Sequence, residues 1–555
     1  MKCGDDERVK LPPRRSAAPK LALGGLVGLL AAGVAVGVGE LIASLVRPEA
    51  SPIIAIGNRL IVLTPEPVKL WAIQRFGTND KPTLLTGIYL AVAVLAVAIG
   101  ITAVRRLAYG LAGVALLGAV SCYCALTANG SQGGDVVPSI LGALAGMAAL
   151  AGLVSAVAGK PAEVVGEGPA ADRAVTAPRL VADRRLFLGG SIAAAALALV
   201  GGFGGRALQH RRYNAAAARA AIRLPEPVSS AGPLPATGGV PSTAASASPA
   251  AEGAGFDLGK SGVPFLTPSG KFYRIDTALS VPQVDPDTWQ LRIHGMVDRE
   301  LTLTYADLLA RPLVERWLTL ACVSNEVGGS LISTAKFRGV LLAELLREAG
   351  VQAEADQLLA VSVDGMTIGS PTSVVLDGRD AMLAVGMNGE PLPTEHGFPV
   401  RMVVPGLYGY VSACKWIVDL EATTFAAHQA YWVQGGWAAQ GPVRLSSRID
   451  RPTSSGSVSV GTQVPVAGVA WDQHVGVSRV EVQVDGGAWE RAVLAPVPST
   501  DTWRQWVYLW TPPSAGAHRL RVRAFDSAGR AQTDAVADPF PAGATGLHEV
   551  TVRAR

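Results

Sequence analysis

The sequence predicts a multidomain protein with an N-terminal region of five transmembrane helices, a mixed α+β domain and a C-terminal β-sandwich. Three observations support this fold class. Long apolar runs occur only in the first 205 residues, a stretch dominated by Ala, Pro, Ser and Gly follows, and the remainder alternates short strand-like segments with Gly and Pro turns. The predicted parts are a membrane anchor at 1–205, a flexible linker at 206–260, the α+β domain at 261–442 and the sandwich at 443–555.

The membrane region is predicted from the length of its apolar runs. A transmembrane helix needs about 20 predominantly apolar residues. Hydrophobic residues make up 49% of the chain and charged residues only 17%, a composition that favours a membrane protein. The predicted spans lie at about 21–46, 83–104, 107–128, 136–158 and 186–204.

The distribution of cations predicts the orientation. Lys and Arg residues precede the first span and follow the second and the fourth. The positive-inside rule places these segments in the cytoplasm, so everything after residue 205 is expected on the extracytoplasmic side of the cytoplasmic membrane. The segment 47–82 disagrees, because Arg59, Lys69 and Arg75 would be external. Its amphipathic pieces are therefore expected to lie along the membrane interface.

The entrance to the fifth span reads 183-DRRLFLGG-190. Arg184 and Arg185, followed by Phe-Leu and a weakly apolar helix, resemble a twin-arginine export signal. The alternative is a pair of ordinary positive-inside arginines. Because twin-arginine export carries domains that fold before crossing, the signal predicts a cofactor-bearing domain outside the membrane.

Several functions are excluded by what the sequence lacks. None of the seven histidines lies within the predicted spans, so no haem is expected in the chain. Glu40, near the end of the first span, is the only acidic or basic residue well inside a span, which argues against a transporter. The net charge of +4 and the lack of a basic, aromatic-rich stripe argue against nucleic acid as a partner. Five scattered cysteines do not form a disulfide framework.

The α+β domain has recognisable strand and helix signals. Trp289, Leu291 and Ile293 alternate as in a strand, and Thr304 precedes Asp307 at capping-box spacing. The stretch 337-FRGVLLAELLREAGV-351 is predicted to be an amphipathic helix ending at Gly350. Cys322 follows a strand-like run at 317–321 and precedes a polar, Gly-rich loop. A cysteine there is either a small core residue or a reactive or metal-binding thiol.

Five motifs decide between these two interpretations. VDPDTW, TLACVSN, NGEPLPTEHGFPVR, VPGLYG and KW occur in this order between about 265 and 441. In order and spacing they resemble the catalytic domain of the sulfite oxidase family of molybdopterin enzymes. The resemblance implies a molybdenum–molybdopterin cofactor, with Cys322 as the protein ligand to molybdenum. Cys414 is the rival thiol, and it is expected to be a buried structural residue.

The same resemblance implies roles for other polar residues. His396 and Arg401 match positions that hold the pterin, Lys415 matches a lysine near its phosphate, and Asn325 belongs to the cofactor-binding cysteine loop. Arg274 matches an arginine that lines the active-site pocket.

The sequence also departs from the family. Glu326 and Val327 stand where sulfite oxidases carry arginines, and Trp437 falls near the position of an active-site tyrosine. An anionic substrate favours clustered arginines, so these changes argue against sulfite.

The C-terminal stretch predicts an immunoglobulin-like β-sandwich. Alternating runs such as 477-VSRVEVQVDGG-487 are separated by turns, and Asp485-Gly486 is typical of a hairpin. The region resembles the dimerisation domain of the family. Its aromatic run 503–510 is expected either to form a homodimer interface or to pack the sandwich.

The function expected from these observations is that of a membrane-anchored, extracytoplasmic molybdopterin oxidoreductase. It would transfer an oxygen atom to or from a small sulfur compound or another oxo-acceptor and exchange electrons with a separate electron-transfer protein. A sulfoxide reductase is the alternative within this class. A non-catalytic surface binding protein, built on a degenerate molybdopterin fold, is the alternative from another class. The whole arrangement resembles actinobacterial membrane molybdoproteins.

Overall fold

The computed structural model describes residues 18–128, 130–158, 184–212, 214–232, 261–454 and 456–555. The chain forms two compact units, Met1–Arg212 and Tyr213–Arg555. Each unit has its own hydrophobic core.

The N-terminal unit is helical. Among its described residues, five helices are long and apolar enough to cross a membrane, as the sequence predicts. These stretches are Leu21–Val46, Asp80–Arg105, Leu107–Leu126, Gly133–Val157 and Phe187–Gly205. The helices are α1 (Ala18–Val46), α2 (Pro52–Leu63), α3 (Glu66–Phe76), α4 (Asp80–Arg105), α5 (Leu107–Leu126), α6 (Val137–Ala158) and α7 (Arg184–Arg212).

Small residues allow these helices to pack closely. A Cβ atom at Gly28 of α1 would lie 1.9 Å from the carbonyl oxygen of Ala96 in α4, so only glycine fits this crossing. Arg47, after α1, donates to the buried carboxylate of Asp135 at 2.6 Å. The segment 47–82 forms α2 and α3, and Ile53 of α2 is buried within the bundle. A location of this segment along a lipid interface stays a prediction.

The C-terminal unit begins earlier than the sequence predicts. Helix α8 (Ala215–Ala221) lies on the α+β domain, where Ala215 is buried in the core and Arg219 donates to Glu390 at 2.7 Å. The linker prediction for 206–260 is therefore wrong over 206–212, where α7 continues to Arg212, and over 214–232, where the Ala-rich stretch has an apolar face that the domain covers. Residues 233–260 of the predicted linker lie outside the described residues.

The α+β domain contains two sheets. One has the order β2-β1-β10-β5-β6, and the other has the order β3-β4-β7-β8 with β9 also paired to β7. Its strands are β1 (Gln290–Gly295), β2 (Leu301–Thr304), β3 (Val314–Ala321), β4 (Ile332–Leu341), β5 (Gln357–Ser362), β6 (Thr367–Pro371), β7 (Met382–Met387), β8 (Glu390–Pro391), β9 (Arg401–Val403) and β10 (Ile417–Thr423). Its helices are α9 (Tyr305–Leu309), α10 (Leu342–Ala349), α11 (Thr372–Val375) and α12 (Tyr431–Gln434).

Local signals in this domain are mostly confirmed, with one correction. Thr304 and Asp307 form the predicted capping box at the start of α9. The helix predicted over 337–351 is wrong at its beginning, because residues 332–341 form β4 between β3 and β7. Pairing on both edges outweighs the helical pattern there. Helix α10 then ends as predicted at Gly350, whose φ of 68° is left-handed.

The C-terminal part is the predicted β-sandwich. One sheet has the order β11-β13-β17-β16 and the other β12-β19-β18-β14-β15. Trp503, Trp506 and Trp510 are buried within this unit, which favours the packing role over an interface role for these three residues. The strands are β11 (Ser446–Arg451), β12 (Ser457–Val458), β13 (Val464–Trp471), β14 (Val477–Val484), β15 (Trp489–Arg491), β16 (Val493–Leu494), β17 (Arg504–Trp510), β18 (Gly516–Asp526) and β19 (Glu549–Ala554).

Candidate functional site

Cys322 lies directly after β3, where the strand gives way to a polar loop. Its backbone N–H donates to the carbonyl oxygen of Leu331 at 2.9 Å, and its own carbonyl accepts from Asn325 N–H at 3.1 Å. The thiol is buried, and this burial raises its pKa. Hydrogen bonds from the backbone and the side chain of Ser324 oppose that shift. A buried thiol with donors around it is suited to a metal, which lowers the pKa of the sulfur that it binds.

The loop after Cys322 is closed by Asn325. The side-chain oxygen of Asn325 accepts from Leu331 N–H at 2.8 Å, and Gly329 N–H donates to the carbonyl oxygen of Glu326 at 2.8 Å. The structure thus gives Asn325 a role in shaping the cysteine loop. Its predicted contact with the cofactor stays a prediction.

His396, Arg401 and Lys415 are brought together as the motifs suggest. Arg401 opens β9 and pairs with Lys415 through an isolated β-bridge. Gly397 fits between them: its φ is 108°, and a Cβ there would lie 3.0 Å from Cβ of Arg401 and 3.1 Å from Cβ of Lys415. His396 Nε2 is 3.0 Å from the carbonyl oxygen of Ser269, and Arg401 donates to the carbonyl of His396 at 3.2 Å.

Burial destabilises the charged forms of His396, Arg401 and Lys415. Burial lowers the pKa of Arg401 to about 10, and Arg401 Nε has no hydrogen-bond partner among the described residues. Burial, with Arg401 and Lys415 close by, lowers the pKa of His396 to about 4. Burial and the neighbouring Arg401 and Arg274 also hold the pKa of Lys415 well below its usual range. Cationic donors in this state are stabilised by an anionic ligand.

Arg274 does not present a free charge. Its Nε donates to Asp276 at 2.9 Å, and Lys415 Nζ donates to the same carboxylate oxygen at 2.6 Å. The side chain of Asp276 is only 3% exposed. Asp276 therefore joins the predicted pocket arginine to the predicted phosphate lysine in one ionic group.

Two tyrosines near Cys322 were not identified from the sequence. Burial raises the pKa of Tyr273; the charge of Cys322 raises it further and that of Arg401 lowers it, so this phenol lies within electrostatic reach of both. A Cβ at Gly409 would lie 3.4 Å from Tyr273 Oη and 3.7 Å from the carbonyl oxygen of Ala321. Burial also raises the pKa of Tyr408 to about 12, and Cys322 adds to this shift. Tyr408 occurs in the motif VPGLYG and Tyr273 directly precedes Arg274, but the residue type alone did not distinguish them.

Cys414 is the other buried thiol of the C-terminal unit. Burial raises its pKa strongly, and its Sγ lies 3.8 Å from the carbonyl oxygen of Lys415. Its backbone carbonyl accepts from Met402 N–H at 2.8 Å, between β9 and the Lys415 segment. These contacts fit the predicted structural role.

The positions that depart from the family are divided between surface and core. Glu326 and Val327 are exposed on the cysteine loop. Trp437 is buried, with its ring 5.9 Å from that of Tyr410 and 5.2 Å from that of Phe540. Trp437 thus serves as an aromatic packing residue in this structure.

The donor set fits a molybdopterin cofactor. A phosphate-bearing, polar ligand fits the buried Arg401, whose Nε lacks a partner among the described residues, and the neighbouring Lys415, whose ammonium is ion-paired with Asp276. A soft metal fits the buried thiol of Cys322. Among the described residues, no three His, Cys, Asp or Glu side chains cluster as a metal site. The dithiolene of a molybdopterin would supply two further sulfur ligands to a metal at Cys322.

Comparisons with known proteins agree with this geometry. Residues 278–432 match the "Oxidoreductase molybdopterin binding domain" family, and residues 446–522 match the "Bacterial Ig domain" family.

Curated relatives of this chain include the following three proteins. Mitochondrial sulfite oxidase of Homo sapiens is 30% identical over 322 residues, covering 49% of this chain and 58% of that protein, so the chain spans little more than half of that relative's length. Sulfite oxidase of Gallus gallus is 31% identical over 324 residues, covering 49% of this chain and 69% of that protein. The uncharacterized oxidoreductase YuiH of Bacillus subtilis is 33% identical over 157 residues, covering 28% of this chain and 76% of that protein. The chain belongs to the sulfite oxidase family of molybdopterin-dependent oxidoreductases.

Proposed function

We propose that the chain is a membrane-anchored oxidoreductase that transfers an oxygen atom to or from a small molecule at a molybdenum centre ligated by Cys322. The observation that carries this proposal is the coexistence of two features in one buried region. A buried thiol ends β3, and a cluster of buried donors with an orphaned Arg401 Nε lies within reach of the same tyrosine, Tyr273. Burying a cationic side chain with a nitrogen that lacks a partner costs free energy, which a bound anionic ligand would offset.

Each residue of the site has a distinct task in this proposal. Arg401 and Lys415 would bind the phosphate and polar edge of the pterin, and His396, neutral at physiological pH, would accept or donate a hydrogen bond there. The bound molybdenum supplies two-electron oxygen-atom-transfer chemistry. Tyr273 and Tyr408, whose pKa values are raised, would stay protonated and donate O–H groups near the sulfur of Cys322.

The charges around the site favour an uncharged substrate over sulfite. Arg274 is bound by Asp276, and the loop position that carries arginine in sulfite oxidases carries Glu326. In the oxidative direction, the substrate gains one oxygen atom derived from water, two protons are released and two electrons leave through a separate redox protein. In the reductive direction, a sulfoxide-like substrate loses its oxygen as water with the uptake of two electrons and two protons. Both directions are open to an uncharged substrate, so a thioether and its sulfoxide are the pair to assay.

The location is proposed from the anchor. In the described part of the chain five candidate spans precede the catalytic unit, and the paired Arg184 and Arg185 stand at the start of α7. We place the catalytic unit outside the cytoplasmic membrane, delivered by a twin-arginine route. Replacing both arginines by lysine is expected to leave this unit in the cytoplasm, where protease added to spheroplasts does not reach it. Full cleavage of the variant would refute the twin-arginine route.

Metal content and visible absorption test the proposed centre. Purified wild type is expected to hold about one molybdenum atom per chain and to show thiolate-to-metal absorption. Cys322→Ser is expected to lose that absorption, whereas Cys414→Ser, the matched control at an equally buried thiol, is expected to keep it. Loss of the absorption in Cys414→Ser alone would show that Cys414, and not Cys322, is the ligand.

The rival function is a non-catalytic surface binding protein on the same fold. Exported, folded wild type without molybdenum, in a host that makes the cofactor, would favour this alternative. The buried Arg401 supports the enzyme, because its Nε has no hydrogen-bond partner among the described residues and a bound anionic cofactor would offset the cost of this burial.

A further inference from the structure

The C-terminal β-sandwich contacts the cysteine loop of the α+β domain directly. Arg448 of β11 donates through Nη1 to the carbonyl oxygen of Gly329 at 2.7 Å. The same guanidinium is held in place by Asp450, which accepts from its Nε at 2.6 Å. The Arg448 side chain is only 14% exposed, so water competes weakly for this contact.

A histidine of the sandwich covers the neighbouring loop residue. A Cβ at Gly328 would lie 2.3 Å from two atoms of the His548 ring, so the ring lies directly on the glycine backbone. His548 is fixed in turn, because its Nδ1 accepts from Ile449 N–H at 2.9 Å. Gly328 has a φ of 79°, a left-handed conformation that glycine adopts without strain. The loop is thus bent into a shape that the ring of His548 covers.

The sandwich also holds the strand that leads to Cys322. Thr319, three residues before the cysteine, donates its N–H to the carbonyl oxygen of Asp501 at 3.0 Å. Its carbonyl accepts from Gln473 Nε2 at 3.2 Å, and its hydroxyl accepts from Trp503 N–H at 2.8 Å. The thiol is therefore held from both sides, through β3 and through the loop, by residues of the other domain.

We infer that the C-terminal sandwich positions the molybdenum thiolate, with Arg448 and His548 as its positioning residues for the Cys322 loop. This goes beyond a dimerisation role for that domain. It rests on the proposed function only in calling Cys322 the metal ligand. The contacts of Arg448 with Gly329 and of His548 with Gly328 do not depend on the metal. None of these sandwich residues needs to touch the substrate or the cofactor to act in this way.

The reactivity of Cys322 in the cofactor-free protein measures how strongly the sandwich residues hold the Cys322 loop. The full chain would be produced in a host that cannot make molybdopterin, purified in detergent and treated with iodoacetamide, and mass spectrometry would give the alkylation rate of each cysteine. A buried thiol reacts only when its surroundings open, so its rate reports the local opening equilibrium. Removing a hydrogen bond made by a charged group shifts such an equilibrium by about tenfold.

Arg448→Ala is therefore expected to raise the alkylation rate of Cys322 about tenfold and to leave Cys414 unchanged. Arg448→Lys is expected to restore much of the protection. Arg523→Ala is the matched control, because Arg523 is also an ion-paired arginine of the sandwich, with Glu481 at 2.6 Å. It is expected to change neither rate.

An unchanged Cys322 rate in Arg448→Ala, or an equal increase for Cys322 and Cys414, would overturn the inference. The equal increase would mean that the arginine only stabilises the fold. If Arg448→Ala does not fold, His548→Ala carries the same expectation for the ratio of the two rates. Failure of the proposed function is seen separately, because it appears as wild type without molybdenum whatever the alkylation rates are.

Discussion

Arg401, whose Nε has no hydrogen-bond partner among the described residues, leads to a prediction with two opposite effects. Arg401→Met keeps most of the side-chain volume but removes the charge. The cofactor-free protein is expected to become more stable, while the protein made in a cofactor-producing host is expected to lose its molybdopterin. This combination of effects is typical of a residue kept for binding and not for folding.

The size of the change in the free energy of unfolding follows from the burial and the contacts of the Arg401 side chain. Burial lowers the pKa of Arg401 from 12.5 to about 10, which corresponds to about 3 kcal/mol of destabilisation of the charged form. The substitution also removes the hydrogen bond to the carbonyl of His396 at 3.2 Å and the contact of the guanidinium with the Phe337 ring at 5.8 Å, which together contribute about 2 kcal/mol. The net gain in the free energy of unfolding is about 1 kcal/mol.

Thermal unfolding of the detergent-solubilised chain, followed by tryptophan fluorescence, measures this gain. A change of about 1 kcal/mol raises the Tm of a domain of this size by about 2–4 °C. Arg316→Met is the matched control, because Arg316 is ion-paired with Asp380 at 2.8 Å and gains nothing from removal. A lower Tm for cofactor-free Arg401→Met, or molybdenum content equal to wild type, would refute the reasoning.

Three further predictions concern the same domain. Gly397→Ala is expected to destabilise it by about 1–3 kcal/mol and to lower molybdenum content, because the left-handed backbone and close neighbours leave no room for a Cβ; unchanged metal content would contradict this. Since the pKa of His396 is about 4 in the fold and 6.5 unfolded, the unfolded chain binds more protons between these values. The free energy of unfolding of the cofactor-free protein should fall by up to about 3 kcal/mol as pH drops from 6.5 to 4, and by less in His396→Gln. If urea titrations give the same decrease with pH for both proteins, the prediction is wrong. Glu315→Gln removes a buried partner of two cations and should lower stability by about 3 kcal/mol, whereas the exposed Glu300→Gln should change the Tm little; equal Tm losses would refute the distinction.

Much of the site was predictable because its motifs are local. The strand end at Cys322, the capping box at Thr304 and the turn at Gly350 each depend on a few consecutive residues, and the structure places them as the sequence predicts. The roles of Arg401 and Lys415 came from a family pattern, and their proximity in the fold agrees with it. The prediction for 337–341 was wrong, because a helical pattern there is outweighed by pairing with two strands distant in sequence.

The sequence by itself determined the order of the parts, the five apolar helices, the cysteine at the end of a strand and the class of cofactor. Only the tertiary structure decided how these charges are paired, since Asp276 neutralises Arg274, whereas Arg401 Nε has no partner in the described part of the chain. It also decided that the sandwich holds the cysteine loop through Arg448, a residue 126 positions after Cys322 in the numbering of the chain. The physical reason is that periodicity, capping and turns depend on neighbours along the chain. Burial, charge pairing and loop position depend on groups that meet only after the two domains have packed together.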